Sequence, residues 1–303
     1  MSLSEKDTAA KPGAIDLFAA SLMVVLCATW GLNQVAVKVA SAEIEPFVQA
    51  GLRSILCAIL ILAWCKYRGI KVFARDGSLW PGILVGLFFT IEFALFFVGV
   101  PRTSAARAVL FFYTTPFFVA LGAHFLLPGD RMTLSKLAGL TLAFFGVSLS
   151  FADALSSTAG QSGITGDILC FIAAMFWAAV ILTIKKTVLI TIAPERALLY
   201  QLGVSSLLLP IGLLIGETIP SSLSFWPAIS FAYQVGLVAS VSFLTFFWLM
   251  TKYDASRLSA FIFLAPAFGV FFGWLLLGES ITFGLLAGAT LICLGIWLVN
   301  RQA

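Results

Sequence analysis

The chain has 303 residues, 61% hydrophobic and only 11% charged, with a net charge of +4 at pH 7. A globular chain carries roughly a quarter charged residues, so this composition excludes a soluble protein. The basic residues sit mostly in short loops between apolar blocks, which excludes a nucleic-acid-binding surface.

The apolar blocks are about 20 residues long, the length a helix needs to cross ~30 Å of hydrocarbon. Segments of ~10 alternating residues, the signature of a membrane barrel, are not visible. Polar breaks delimit ten predicted helices, at 15–38, 46–65, 80–100, 105–126, 134–152, 167–188, 195–215, 227–250, 256–277 and 282–300. The fold class is therefore all-α integral membrane. A polar tail at 1–14 precedes the first helix, which lacks a cleavage site and reads as retained. The stretch 153–166, rich in Ser, Gly and Thr, reads as a linker between halves at 15–152 and 167–300, and 301–303 form a second tail.

Direction follows from the positive-inside rule. With both termini cytoplasmic, only Lys38, Arg53, Arg102 and Arg107 lie toward the outer side, leaving 14 of the 18 basic residues inside. The expected location is the cell inner membrane. The five cysteines, Cys27, Cys57, Cys65, Cys170 and Cys293, lack paired spacing and read as small core residues.

The two halves repeat one another. Ala105, Arg107, Phe111, Pro116, Gly129, Thr133, Leu137, Ala138, Gly139 and Gly146 recur as Ala255, Arg257, Phe261, Pro266, Gly278, Thr282, Leu286, Ala287, Gly288 and Gly295. Trp30 and Lys38 recur as Trp177 and Lys185, and Trp80-Pro81 as Trp226-Pro227. Five helices per half is an odd number, so the second half enters the membrane from the opposite side. Two inverted five-helix repeats are the arrangement that gives alternating access around a midplane site.

Ionisable groups inside a membrane are costly and need a reason. Glu92, midway along the third helix in the run FFTIEFALFF, either pairs a substrate ammonium group, carries a proton, or partners Arg53. Arg53 in turn binds a substrate carboxylate, reaches the outer interface, or pairs with Glu92; its repeat mate is Gln201. His124, the only histidine, is a candidate proton relay or an interfacial residue. Trp30, Asn33 and Trp177 lie too deep for an interfacial aromatic belt, and read as cavity lining or as tight packing. Pro116 and Pro266 each remove a backbone hydrogen bond, so a hinge or cavity wall is expected there, faced by Tyr113 and Phe263. Tyr200 and Trp248 are weaker additions to that lining. Small residues at helical spacing in the fifth and tenth helices allow close approach and suggest a homodimer contact.

The segments Pro116…Leu126-Leu127-Pro128-Gly129-Asp130 and Pro266…Leu276-Leu277-Gly278-Glu279 resemble those of the drug/metabolite transporter superfamily. The whole chain is similar to its EamA-type permeases, although the first copy departs at Pro128 and Asp130. The resemblance implies a secondary transporter that exports amino acids or related amphipathic metabolites, with vitamin or nucleotide import as an alternative. A small-molecule substrate, membrane lipid and proton coupling are the expected partners.

No phosphate-binding loop G-x-x-x-x-G-K-[ST] is present, and a single histidine leaves no metal set, so no cofactor or metal is expected. An integral-membrane enzyme acting on a lipid-linked substrate is the competing class. Its acid clusters are missing, because Asp76, Asp130, Asp153, Asp167, Glu195, Glu217, Asp254 and Glu279 are dispersed.

Overall fold

The computed structural model describes residues 15–103, 105–152, 163–277 and 283–301. Among them no β-strand forms, and ten helical rods run in chain order. These are α1 (Leu17–Ala40), α2 (Pro46–Arg68), α3 (Leu79–Gly99), α4 (Ala105–Phe112 and Thr115–Leu126) and α5 (Leu134–Ser150). The second set is α6 (Ile164–Lys186), α7 (Pro194–Ser205 and Leu208–Leu214), α8 (Phe225–Lys252), α9 (Ala255–Phe261 and Leu264–Leu277) and α10 (Phe283–Asn300). Eight are long and apolar enough to cross a membrane, while Leu134–Ser150 and Leu286–Asn300 are shorter apolar helices.

Local chemistry sets the helix starts. Asp16 accepts the Ala19 N–H at 2.7 Å and Thr133 accepts the Lys136 N–H at 3.2 Å, each satisfying a donor that the first turn leaves free. Pro46 and Pro194 open α2 and α7, where a missing N–H costs nothing.

Four sequence expectations change. Helix α6 begins at Ile164, so the end of the expected linker is already helical; residues 153–162 lie outside the described residues, as do 1–14 and 302–303. Pro116 and Pro266 do not lie in the middle of continuous helices. Each lies near the start of a second segment, after breaks at 113–114 and 262–263. Cys293 is exposed, unlike the other four cysteines, which are buried. Finally, the small residues of α5 and α10 face each other within one chain. A Cβ added at Gly139 would fall 2.6 Å from Gly295 O, and one at Gly146 would fall 2.6 Å from Gly288 O. The faces that suggested a homodimer are thus occupied internally.

Helix neighbours follow a rule. α3 packs on α6 as α8 packs on α1; α4 on α6 as α9 on α1; and α2 on α8 as α7 on α3. The contacts α2–α7, α4–α9 and α5–α10 join equivalent helices. Exchanging each helix with the one five places later preserves these pairs, but α9 also packs on α10 more extensively than α4 packs on α5.

Candidate functional site

The neighbours of α1, α3, α6 and α8 bring aromatic side chains together deep in the bundle. Trp30 donates its indole N–H to Ser242 Oγ at 2.9 Å and meets Phe246 edge-on at 5.4 Å between ring centroids. Phe243 lies 6.4 Å from Trp30 and 6.2 Å from Trp177, so it stands between the two tryptophans. Phe89 lies 6.1 Å from Trp177 and 4.8 Å from Phe93, which extends the cluster along α3.

Glu92 shares that helix. Gly82, Val85, Gly86, Phe89 and Glu92 are the buried positions in this part of α3, recurring every three or four residues as one helical face requires. Burial of Glu92 is therefore set by the helix register rather than by a partner. Its carboxyl group makes no hydrogen bond or ion pair with a described residue, and the direct ion pair with Arg53 does not form. Arg53 is buried as well, against the expectation that it reaches an interface. Its guanidinium lies 4.7 Å from the Phe93 ring centroid, and its Nε has no hydrogen-bond partner.

A feature the sequence reading missed aligns α8 with this region. Residues Gln234–Ser242 form a π-helix, which adds a residue per turn and is common at functional sites. The wider turn places three polar residues against other helices. Gln234 accepts from Gln49 Nε2 at 3.2 Å and donates to Ala36 O at 3.3 Å. Ser240 Oγ lies 3.1 Å from Cys57 Sγ, and Ser242 accepts from Trp30. Gln234, Ser240 and Ser242 stood out in the sequence only as polar residues within an apolar block.

The rings of Tyr113 and Phe263 pair with phenylalanines rather than with the tryptophans. Tyr113 is buried near Gln34 of α1 and lies 6.0 Å from Phe112, while Phe263 is fully buried 6.4 Å from Phe117. They mark the matched breaks of α4 and α9. Asn33 is half-buried, and its Oδ1 has no partner. His124 is exposed, and its Nδ1 accepts the Met132 N–H at 3.2 Å, so it fastens the turn after α4. Tyr200 bonds Ser78 Oγ at 2.9 Å, and Trp248 lies at the surface under Lys252.

Both ends of the bundle are closed by polar contacts between halves. At one end Asp167 binds Arg107 and accepts from Thr103 Oγ1 at 2.6 Å. At the other, Asp16 accepts from the Tyr253 hydroxyl at 3.0 Å. Asp130 also binds Lys136 at 2.6 Å and accepts the Ser256 N–H at 3.0 Å. Asp254 nearby lines a cavity of about 120 Å³ with Leu127, Pro128, Asp130 and Lys185. Burial, reinforced by Asp130, pushes the Asp254 carboxyl above its ordinary value. On the α2–α3 loop, hydrogen bonds from Arg196 and Ser78 hold the Asp76 carboxyl well below the usual range.

Aromatic and ionisable side chains thus gather inside a bundle in which eight described helices are long and apolar enough to cross a membrane. The family model for EamA-like transporters matches residues 17–152 and again 164–301. The chain belongs to this transporter family. It is similar to a probable amino-acid metabolite efflux pump of Salmonella typhimurium, 30% identical over 299 residues, covering 93% of this chain and 94% of the relative. It is also similar to the uncharacterized transporter YoaV of Bacillus subtilis, 27% identical over 272 residues, covering 89% and 92%. A solved crystal structure at 18% identity superposes with a TM-score of 0.79, covering 93% of this chain and 96% of the other, which establishes a shared fold. The protein is a multi-pass membrane transporter.

Proposed function

We propose that this transporter exports a small amphipathic metabolite, in particular an amino acid or a related compound. Transport proceeds by alternating access around the cluster of Trp30, Trp177, Phe243 and Phe89. The observation that carries this reading is the convergence of Trp30, Trp177 and Phe89 on Phe243, with Glu92 one helical turn after Phe89. Equivalent residues of two halves meet there, at the depth where a rocking pair of repeats holds its substrate. Aromatic faces bind apolar side chains and attract ammonium groups, and Glu92 supplies a carboxyl group one helical turn from Phe89. A proton and a substrate cation compete for that carboxylate, which couples export to proton entry.

The ten helices act as two inverted five-helix repeats with both termini on the cytoplasmic side of the inner membrane. Three observations support this: the helix pairs that, α9–α10 apart, survive exchange of halves, the two family matches and the bias of basic residues. The efflux-pump relative supports the direction and the substrate class.

Counterflow of radiolabelled amino acids and vitamins into proteoliposomes tests the substrate. Uptake of one or more amphipathic amino acids is expected; a panel in which only vitamins move, or nothing does, overturns the reading. Single cysteines at 107 and 257, in a background free of Cys293 and the buried cysteines, test the topology. The first is expected to label from outside and the second from inside. Labelling from one side refutes the inversion.

A further inference from the structure

Arg53 is the side chain that the aromatic cluster leaves unexplained. It retains only 6% of its exposure, has no carboxylate partner, and rests against Phe93 with Nε unpartnered. Guanidinium offers five donors in a planar fork shaped for a carboxylate, and none of them meets one here. Glu92, the residue before Phe93, is 5% exposed and equally without a partner. A buried charge normally has a paired and hydrogen-bonded counter-charge. Here a basic and an acidic side chain are buried on the packed helices α2 and α3 and form no ion pair with each other.

Their surroundings differ in kind. On the α2 side, Gln49 and Cys57 lie one turn either side of Arg53 and connect through Gln234 and Ser240 to the π-helix of α8. This polar seam continues in Ser54, whose Oγ accepts from Ser205 of α7 at 2.9 Å. On the α3 side, Phe93 leads to Phe89 and thence to Trp177 and Phe243. A molecule held between the two charges therefore finds one polar wall and one aromatic wall. The repeat mates of the charged pair are Gln201 and Val238, both neutral, so the arrangement exists once per chain.

We propose that Arg53 and Glu92 form a two-point clamp for a zwitterion. Arg53 takes the carboxylate, Glu92 takes the ammonium group, and the apolar side chain lies along Phe89, Phe243 and Trp177. This deepens the exporter reading and rests on it. The empty clamp holds a guanidinium and a carboxyl group that form no ion pair with each other. Loading inserts the complementary pair, so the bound site is neutral and every charge has a partner. A simple amine or a simple acid leaves one protein charge buried and alone.

The test uses phenylalanine, phenylalaninamide, which lacks the carboxylate, and N-acetylphenylalanine, which lacks the ammonium group. Each competes against radiolabelled phenylalanine in counterflow and is titrated by tryptophan fluorescence. In the wild-type protein each derivative is expected to bind about tenfold to a hundredfold more weakly than phenylalanine, the loss that follows when a charged hydrogen bond is left unmade. Arg53→Gln is expected to weaken phenylalanine by a similar factor while leaving the amide unchanged. Glu92→Gln does the same with respect to the N-acetyl compound. If the two charges merely neutralise one another, the Arg53→Gln, Glu92→Gln double variant recovers phenylalanine binding, and that recovery overturns the clamp. Should these variants fail to fold, the wild-type ranking of the three probes decides alone. Phenylalanine transport without discrimination sinks the clamp and leaves the exporter reading intact. Absence of transport of any zwitterion removes both.

Discussion

Substituting Gly139 by alanine tests whether α5 and α10 are held by direct backbone contact. The new Cβ would fall 2.6 Å from Gly295 O, 2.7 Å from Val299 Cγ2 and 2.8 Å from Val299 N. Two of the three obstacles are backbone atoms, which move only with the whole helix. An ordinary carbon–oxygen contact begins near ~3.3 Å, so the helices must part by about 0.7 Å at this crossing. Overpacking of this kind costs about 1–3 kcal/mol, partly offset by alanine's advantage over glycine within a helix, at most about 1 kcal/mol. The net expectation is a loss of about 1–2 kcal/mol, read as a lower midpoint in thermal unfolding of the detergent-solubilised protein. Gly203→Ala is the control, because nothing lies within 4 Å of its added Cβ; it is expected to be neutral or slightly stabilising. Adding Gly295→Ala to the first variant should cost less than the sum, since the helices have already separated. The reasoning is refuted if Gly139→Ala melts with the Gly203→Ala control.

Three further outcomes are expected. Trp30→Phe keeps the ring but loses the 2.9 Å bond to Ser242, so it should cost about 0.5–1.5 kcal/mol of stability and raise KM for the substrate; unchanged values of both argue against a site role. Asp130→Asn strands the buried Lys136 ammonium and should cost about 3–5 kcal/mol in chemical denaturation, with a loss under ~1 kcal/mol ruling out a structural pair. Asp76→Asn should melt earlier than wild type at neutral pH. Because the folded carboxyl is held below its ordinary 3.8, its contribution is present above that value and fades as pH falls further; a gap that persists in acid contradicts the assignment to Arg196.

Much of the scaffold was legible in sequence because apolar length and polar breaks report membrane helices directly. Helices α2 and α3 begin within a residue of expectation. The breaks in α4, α7 and α9 were not, since they interrupt backbone hydrogen bonds without interrupting apolarity. The π-helix of α8 escaped for the same reason. Glycine spacing announced close approach in α5 and α10, yet a stripe of small residues does not say whether its partner is the same chain. Glu92 and Arg53 were visible as membrane charges. That Arg53 lies on Phe93, and not against Glu92, depends on how α2 and α3 are rotated, which no local pattern records.

For the proposed site, the departures from internal symmetry are more informative than the matches. Positions that hold the bundle together agree between halves: glycines at the α5–α10 crossing, prolines after the breaks of α4 and α9, tryptophans on α1 and α6. A perfect two-fold relation would give two equal binding sites facing opposite ways, and a substrate with one head group uses only one. Glu92 lies on α3, a regular helix, and its mate Val238 lies within the π-helix of α8. Both deviations therefore fall at equivalent places, one adding a charge and the other re-aiming side chains. Arg53 and Gln201 repeat the pattern on α2 and α7, where a buried charge faces a buried amide with neither amide atom partnered. Asymmetry of charge at symmetric depth is what a single polar substrate requires of a duplicated scaffold.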